Sequence, residues 1–301
     1  MHPILFTVGS FFVGTYGLMI AIGMVLGTIL AIWRASKQGV EAQVIMDLIF
    51  WSVIAGVVGA RAAYVVVNWK ESLANPMDII FSRTNFVFLG GVILAIPVGY
   101  GFVRWQKVGF LKIGDIIAPS IALGHAFGRM GCFSAGCCWG KVIGPDSPFA
   151  FLGVRFPSVM FQGKDISMPL GSHIEEHLIP PDSVLSLPIW PVQLIESGGD
   201  LIIVALLLFV STRRRYEGQV FLLYLISYGI LRFFTEFLRG DESRGIYFNL
   251  VSTSQMISLV GIAVGIAFYL CFLMNKPSAT LTVPLVKEPV VRRGPAKIVK
   301  K

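Results

Sequence analysis

The chain has 301 residues, of which 55% are hydrophobic and only 14% are charged. A soluble domain carries about 25% charged residues, so this composition excludes a chain that is solvated on every side. The net charge of +8 comes without a basic stripe interleaved with aromatic residues, so it does not indicate a nucleic-acid partner. The composition indicates an integral membrane protein.

Seven apolar runs are long enough to cross a bilayer as helices, which takes about 20 residues each. The runs are continuous rather than alternating, which favours helices over the strands of a membrane barrel. We therefore predict an all-α integral membrane protein with seven transmembrane spans, at residues 12–33, 44–67, 86–104, 115–133, 191–211, 218–238 and 252–274.

Lys and Arg are unequally distributed over the segments that connect these spans. One set of segments, together with Arg104, holds 15 of the 25 Lys and Arg, and the opposite set holds seven. The rich set comprises residues 34–43, 105–114, 212–217 and 275–301. Because positive residues stay in the cytoplasm, we predict that the N-terminus lies outside and the C-terminus inside the cell.

The largest connecting segment, residues 134–190, lies between spans four and five. It is rich in Gly, Pro and Ser, and we expect a small extracytoplasmic cap of loops and short strands. We expect residues 1–274 to form the seven-span domain. Residues 275–301 hold seven Lys and Arg and one Glu, which predicts a disordered cytoplasmic tail attracted to anionic lipids.

Three arginines, Arg61, Arg129 and Arg232, fall within predicted spans. An arginine at mid-bilayer costs about 2.5–3.5 kcal/mol on insertion scales, so such residues usually face a cavity and serve a function. For Arg61, a structural ion pair with a carboxylate such as Glu196 is an equally good interpretation.

The stretch YGILRFFTEFLRGD, residues 228–241, places four polar residues on one predicted helix face. Tyr228, Arg232, Glu236 and Arg239 are spaced by four, four and three positions, as neighbours on a helix are. The simpler interpretation is an internal Arg232–Glu236 ion pair. The functional interpretation is a cationic stripe for a phosphate, which arginine binds in a bidentate manner.

The stretch GHAFGRMGCFSAGCCWG, residues 124–140, carries His125 and Arg129 on one helix face, with Gly128 and Gly131 along the same turns. Small residues let a neighbouring helix or a ligand approach the backbone closely, and packing around a buried polar pair is the alternative. In span five, three polar residues could pair with the arginines, either for bracing or for catalysis: Gln193, Glu196 and Asp200.

Three of the four cysteines form the pattern C-x4-CC, which is not a C-x2-C metal pair. We predict a disulfide from Cys132 to Cys137 or Cys138, with a cysteine nucleophile activated by Arg129 as the minor alternative. The motif His173-Ile-Glu-Glu-His177 matches a zinc-protease pattern, but turn residues flank it closely and it lacks its helical context. We predict neither a metal nor a cofactor.

A series of motifs runs along the chain in a fixed order: YGLM with Tyr16, GARAAY with Arg61, FLGG at 88–91, GHAFGRMGCFSAGCCWG, PVQLIE, YGILRFFTEFLR, and SQMISL with Gln255. Together these motifs resemble the bacterial phosphatidylglycerol:prolipoprotein diacylglyceryl transferase family. The resemblance implies a seven-span enzyme of the inner membrane, expected to be a monomer. It would transfer diacylglycerol from phosphatidylglycerol to the lipobox cysteine of prolipoprotein signal peptides, forming a thioether and releasing glycerol phosphate.

The sequence departs from the family pattern at several positions. Leu89 stands where the family usually has a histidine that is thought essential, and Trp190 replaces another histidine. Cys132 and Cys137 replace an asparagine and a glutamate of the signature. Our hypothesis is that His125 takes over the acid–base role of the missing histidine, since imidazole is the usual general base near neutral pH.

The resemblance also implies roles for the remaining polar residues. Arg129 and Arg232 are expected to bind the phosphate and stabilise its charge. Tyr228 and Tyr16 are expected to position the lipid head group. Glu236 would orient Arg232, and Arg239 would attract the anionic lipid.

Two alternatives remain at this point. The first is a paralogue of the same fold with another acceptor or no activity, which the Leu89 departure would allow. The second is a non-catalytic transporter or lipid-binding protein, which predicts paired broken spans or repeat symmetry that the sequence does not display.

Overall fold

The structure is a computed structural model and describes residues 2–8, 11–70, 86–161, 164–240, 246–247 and 251–275. Within these residues α-helices predominate. In chain order they are α1 Thr15–Lys37, α2 Ala42–Val67, α3 Phe88–Trp105, α4 Phe110–Ala135, α5 Met168–Glu175, α6 Val192–Ser211, α7 Gln219–Glu236 and α8 Thr253–Asn275.

The described residues also form three antiparallel pairs of short strands: β1 Ile4–Val8 with β2 Phe11–Gly14, β3 Met160–Phe161 with β4 Lys164–Asp165, and β5 Ile246–Tyr247 with β6 Val251–Ser252. The first pair precedes α1, so the helix begins at Thr15 rather than at residue 12 as predicted. The partner strand supplies backbone hydrogen bonds to Phe11–Gly14, which these residues would otherwise have to form within the helix.

Five of the described helices are long and apolar enough to cross a membrane: α1, α2, α4, α6 and α8. Helix α3 is a shorter apolar helix and contains Pro97. Helix α7 has 18 residues and includes Arg232 and Glu236. These helices confirm a helical, multi-pass membrane protein, whereas the total of seven spans and their orientation stay predictions.

Glycines let α2 and α3 approach each other closely. A Cβ atom at Gly90 would collide with the side chain of Ala63 and the carbonyl of Gly59, and one at Gly59 would collide with the carbonyl of Gly90. Contact of this kind between backbones is typical of small residues in membrane helices. The FLGG motif therefore serves helix packing.

A buried polar network joins α1, α4, α6 and α7 at the end of the bundle where α4 begins. Arg34 donates hydrogen bonds to the carbonyls of Asp115 (2.8 Å) and Ile116 (3.0 Å) and to Ser211 Oγ (2.9 Å). The carboxylate of Asp115 accepts the N–H groups of Gly218 (2.8 Å) and Phe221 (2.9 Å). A residue of α4 thus caps the N-terminus of α7, whose first N–H groups have no partner within the helix.

The opposite end of α4 leads into residues 136–190. Gly136 ends the helix in the left-handed conformation, with φ of 72°, as glycine commonly does at this position. Isolated bridges then pair Val142 and Val154 with Ile189, and a further bridge pairs Gly140 with Arg239 after α7. This segment contains loops, short strands and the short helix α5, and residues 276–301 of the predicted tail lie outside the described residues.

Candidate functional site

Two close contacts join α4 to α6: an arginine–carboxylate ion pair and a histidine–carboxylate contact. The Nε atom of Arg129 lies 2.6 Å from Oε2 of Glu196, and Nδ1 of His125 lies 2.7 Å from Oδ2 of Asp200. His125 precedes Arg129 by one turn of α4, whereas its partner Asp200 follows Glu196 by one turn of α6, so the two helices pack antiparallel. The matched four-residue spacings of the two helices place both pairs on facing surfaces.

Glu196 is the centre of this cluster and is only 2% exposed. Besides Arg129, its carboxylate contacts Nη1 of Arg232 at 3.3 Å and accepts a hydrogen bond from Thr235 Oγ1 at 2.9 Å. A buried carboxylate needs such partners because an unpaired charge in a medium of low dielectric is very costly. Glu196 therefore braces two arginines from different helices.

Arg232 is held by two further groups. Its Nη2 atom lies 2.5 Å from Oε2 of Glu236 and donates a hydrogen bond to Ser254 Oγ at 3.0 Å. The ion pair with Glu236 is thus present together with the pair to Glu196. Both terminal nitrogens of Arg232 are engaged, and the residue connects α6, α7 and α8.

Arg129 is held differently. Within the described part of the chain, its ion pair uses Nε, which leaves its two Nη groups for a ligand. The side chain is 13% exposed, against 8% for Arg232. A guanidinium with a braced Nε and two available donors has the geometry that suits a phosphate.

The second pair places an imidazole at the edge of the same cluster. Asp200 has no solvent exposure, whereas the side chain of His125 is 28% exposed. The ring of Tyr228 meets the imidazole edge to face, with centroids 5.1 Å apart, and stacks on Tyr224 at 5.7 Å. The sequence left a pairing of Asp200 with an arginine open, and the register of the helices places Asp200 against His125.

The glycines of α4 serve different purposes. A Cβ atom at Gly131 would lie 3.1 Å from Cδ2 of Tyr16, so this glycine makes room for the tyrosine ring. A Cβ atom at Gly128 would meet open space within 4 Å. Gly128 therefore borders open space beside α4.

The cysteines lie where α4 ends. The sulfur atoms of Cys132, Cys137 and Cys138 all lie within 4.8 Å of one another, and the three residues are free thiols in this structure. Thiol hydrogen bonds from Cys132 and Cys137, aided by Arg239, lower the pKa of Cys138. The amide of Gln193 donates a hydrogen bond to the carbonyl of Cys137 at 2.8 Å. The predicted disulfide stays a prediction.

Arg239 lies beyond α7, which ends at Glu236, and not within the helix itself. The next N–H groups bond to carbonyls three residues back, including that of Arg239 to Glu236 at 3.2 Å, which tightens the chain into a turn. Arg61 lies on α2, with its guanidinium 4.3 Å from the ring centroid of Phe86.

The H-x-x-E-H pattern does not form a helical pair of histidines. Helix α5 ends at Glu175, and His177 lies beyond it with φ of 58°. His173 is buried, and its Nδ1 accepts the N–H of Leu187 at 3.2 Å. Burial lowers the pKa of His173. The histidine therefore packs inside the segment between α4 and α6.

These features define a class: a multi-pass helical membrane protein with a buried arginine–carboxylate cluster and an adjacent histidine–carboxylate pair. Residues 3–271 match the family described as prolipoprotein diacylglyceryl transferase. The chain belongs to this family.

Several relatives carry the name phosphatidylglycerol–prolipoprotein diacylglyceryl transferase. The chain is 33% identical to the protein of Clostridium tetani (strain Massachusetts / E88), over 88% of this chain and 96% of the relative. It is 30% identical to that of Finegoldia magna, over 88% and 94%. It is 32% identical to that of Staphylococcus carnosus, over 89% of both.

Proposed function

We propose that the protein transfers diacylglycerol from phosphatidylglycerol to the lipobox cysteine of a prolipoprotein signal peptide. The observation that carries the proposal is the proximity of two unlike groups across α4 and α6. A guanidinium with two available donors lies one helical turn from a carboxylate-bound imidazole. The family and the names of the relatives support the same reaction.

In the proposed reaction, His125 is the general base. Asp200 accepts the hydrogen bond of Nδ1–H, which leaves Nε2 as the basic nitrogen. Nε2 takes the proton of the peptide thiol, and the thiolate attacks the glyceryl carbon that carries the phosphate. A C–S bond forms, the C–O bond to phosphate breaks, and the proton ends on the departing glycerol phosphate.

Arg129 stabilises the charge that develops on the departing phosphate. Donors that are held in place before the reaction need no reorganisation as the charge develops, and Glu196 holds the guanidinium through Nε. Arg232 and Glu236 keep Glu196 in position, and Tyr228 packs on the base. Gly128 leaves space for the lipid beside α4.

The remaining substrate contacts are also proposals. Tyr16 and Gln193 border the cluster from α1 and α6, and Arg61 and Arg239 attract the anionic head group. We further propose seven spans with the N-terminus outside, a cap at 134–190, a cytoplasmic tail at 275–301 and a monomer in the bacterial inner membrane. The positive-inside distribution of Lys and Arg supports this orientation.

Complementation tests the proposal. Wild-type protein, His125→Ala and Arg129→Ala are expressed in a strain depleted of the transferase, with membrane levels checked by immunoblot. Wild type is expected to restore lipoprotein modification, and both variants are expected to fail. Purified protein with labelled phosphatidylglycerol and a lipobox peptide must release glycerol phosphate. Lipid binding without release would identify a non-catalytic protein, and intact transfer by His125→Ala would exclude the assigned base.

A further inference from the structure

Three sulfur atoms converge at the end of α4. Cys132 lies in the last turn of the helix, and Cys137 and Cys138 follow its terminal glycine. All three sulfurs lie within 4.8 Å of one another. When three thiolates bind one metal ion with metal–sulfur distances of about 2.3 Å, their sulfur atoms lie about 4 Å from one another. Each sulfur–sulfur distance here therefore has to shorten by less than about 1 Å.

The backbone is shaped to bring these sulfurs together. Gly136 and Cys138 both adopt the left-handed conformation, with φ of 72° and 58°, and the N–H of Cys137 bonds to the carbonyl of Cys132 at 3.1 Å. A non-glycine residue in this region is uncommon, and such strain concentrates at functional positions. The turn explains why the spacing C-x4-CC, unlike a C-x2-C pair, still gathers three ligands.

The surroundings favour a bound cation. The carbonyl groups at the C-terminus of α4 carry partial negative charge, which stabilises a cation and disfavours thiolates alone. Arg239 is hydrogen-bonded to Cys138, and Arg129 also acts on the charge of the sulfurs. Together the two arginines balance the negative charge that three thiolates leave around a cation.

We propose that Cys132, Cys137 and Cys138 form a three-thiolate site for a thiophilic d10 cation, Zn²⁺ or Cu⁺. Soft thiolates select these ions. Binding displaces to solvent the protons that the thiols still carry and changes no oxidation state. Three ligands suffice for Cu⁺ and leave one position of a tetrahedral Zn²⁺ for solvent.

A metal ion here would hold the loop that follows α4. The carbonyl of Cys137 accepts the hydrogen bond of Gln193, and Gly140 pairs with Arg239. The ion therefore fastens the end of α4 to α6 and to the turn after α7. Its role is structural, close to the reaction cluster without belonging to it.

Metal analysis of the full chain, purified in detergent with a non-thiol reductant, tests the site. The protein is loaded with Zn²⁺ or, separately, Cu⁺, desalted, and analysed by inductively coupled plasma mass spectrometry. Wild type and the control Cys271→Ser are expected to retain one ion per chain. Cys137→Ser and Cys138→Ser are expected to lose it, and the arm that retains the ion identifies the metal. Co²⁺ in the same site is expected to give a thiolate charge-transfer band.

Cys138→Gly separates metal binding from folding. Glycine adopts the left-handed conformation without penalty, so this variant is expected to fold normally and still lose the ion. Metal is also expected to raise the Tm of wild type and not that of Cys138→Gly. Absence of stoichiometric metal in reduced wild type would overturn the proposal. So would full retention by the cysteine variants, or a disulfide from Cys132 to Cys137 or Cys138 in protein isolated from membranes.

Discussion

The Nδ1 atom of His125 lies 2.7 Å from a carboxylate oxygen of Asp200, a residue with no solvent exposure. In the proposed reaction this contact keeps the proton on Nδ1, so that Nε2 is the basic nitrogen. In the proposed reaction Asp200 is a positioning residue, because it acts through the imidazole.

The first prediction concerns this pair. Asp200→Asn is expected to lower kcat by about 10²-fold, the lower end of what a positioned general base contributes, because the amide no longer stabilises the protonated ring. KM for phosphatidylglycerol is expected to change little. Steady-state kinetics in lipid–detergent micelles give kcat and KM, and repeating them across a range of pH shows how far the pH dependence of kcat shifts in the variant.

A double variant provides the control for that prediction. Once His125→Ala has removed the base, Asp200→Asn is expected to lower the rate no further, because the two residues act as one unit. Multiplicative losses in the double variant would show that Asp200 has a role independent of the imidazole.

The second prediction separates the two arginines of the cluster. Arg129→Lys is expected to lower kcat/KM by about 10²–10³-fold, as the loss of one transition-state donor does, because lysine keeps the charge but not the paired donors. The Tm is expected to stay close to that of wild type, since the residue is partly exposed. Thermal denaturation and the transfer assay are measured on the same preparation.

The third prediction concerns the other arginine. Arg232→Ala is expected to reduce the free energy of unfolding by about 3–5 kcal/mol, because it removes one of the two arginines that pair with the buried Glu196 and also breaks the ion pair with Glu236. Denaturant titration in detergent measures the loss. If Arg232→Ala remained stable while Arg129→Lys unfolded, the division between a ligand-binding and a bracing arginine would be reversed.

The fourth prediction tests the network at the start of α4. Arg34→Met is expected to destabilise the protein by about 1–3 kcal/mol for each buried carbonyl left without a donor. The KM values are expected to be unchanged, since Asp115 and Arg129 are separated by about 21 Å of helix. Lys37→Met, an exposed change three residues away, is the matched control and is expected to leave the Tm unchanged.

The fifth prediction concerns His173, whose pKa is lowered by burial. The unfolded segment then binds a proton at higher pH than the folded one. The stabilising effect of neutral His173 is complete above the ordinary value of about 6.5 and is lost as the pH falls toward the lowered value. Hydrogen exchange of the Leu187 N–H, which bonds to His173, is expected to accelerate over that interval.

His173→Asn is the control for the pH experiment, because an amide oxygen accepts a hydrogen bond without titrating. Its exchange rate, corrected for the intrinsic rate, is expected to be independent of pH over that interval. An equal pH response in this variant would assign the effect to another group.

The sequence predicted which residues belong to the cluster better than it predicted which of them pair with each other. The spacing of His125 and Arg129 and that of Glu196 and Asp200 placed each pair on one helix face, but spacing within a helix carries no information about the register between helices. Two pairings were therefore open, and only the antiparallel packing of α4 on α6 selects one. Matching four-residue spacings on both helices were the available signal.

Other features depend on contacts that are distant in sequence. Thr235 and Ser254 are unremarkable in the sequence, yet they complete the hydrogen bonds of Glu196 and Arg232. Arg34 falls at a predicted span boundary, where an arginine usually reaches the cytoplasm, whereas here it is buried between helices. The hairpin before α1 was missed because an apolar strand and the start of an apolar helix have similar composition.

The seam between the loop after α4 and the turn after α7 consists of backbone hydrogen bonds: Lys141 N–H to the carbonyl of Leu238 at 2.8 Å, and Gly240 N–H to that of Trp139 at 3.1 Å. Such bonds do not depend on side-chain identity. Gly140 and Gly240 are exceptions, since a Cβ atom at Gly240 would meet the backbone of Gly140 and one at Gly140 would meet the carbonyl of Trp190. Most side chains along this seam can therefore be substituted during evolution without loss of the backbone hydrogen bonds that join the two segments.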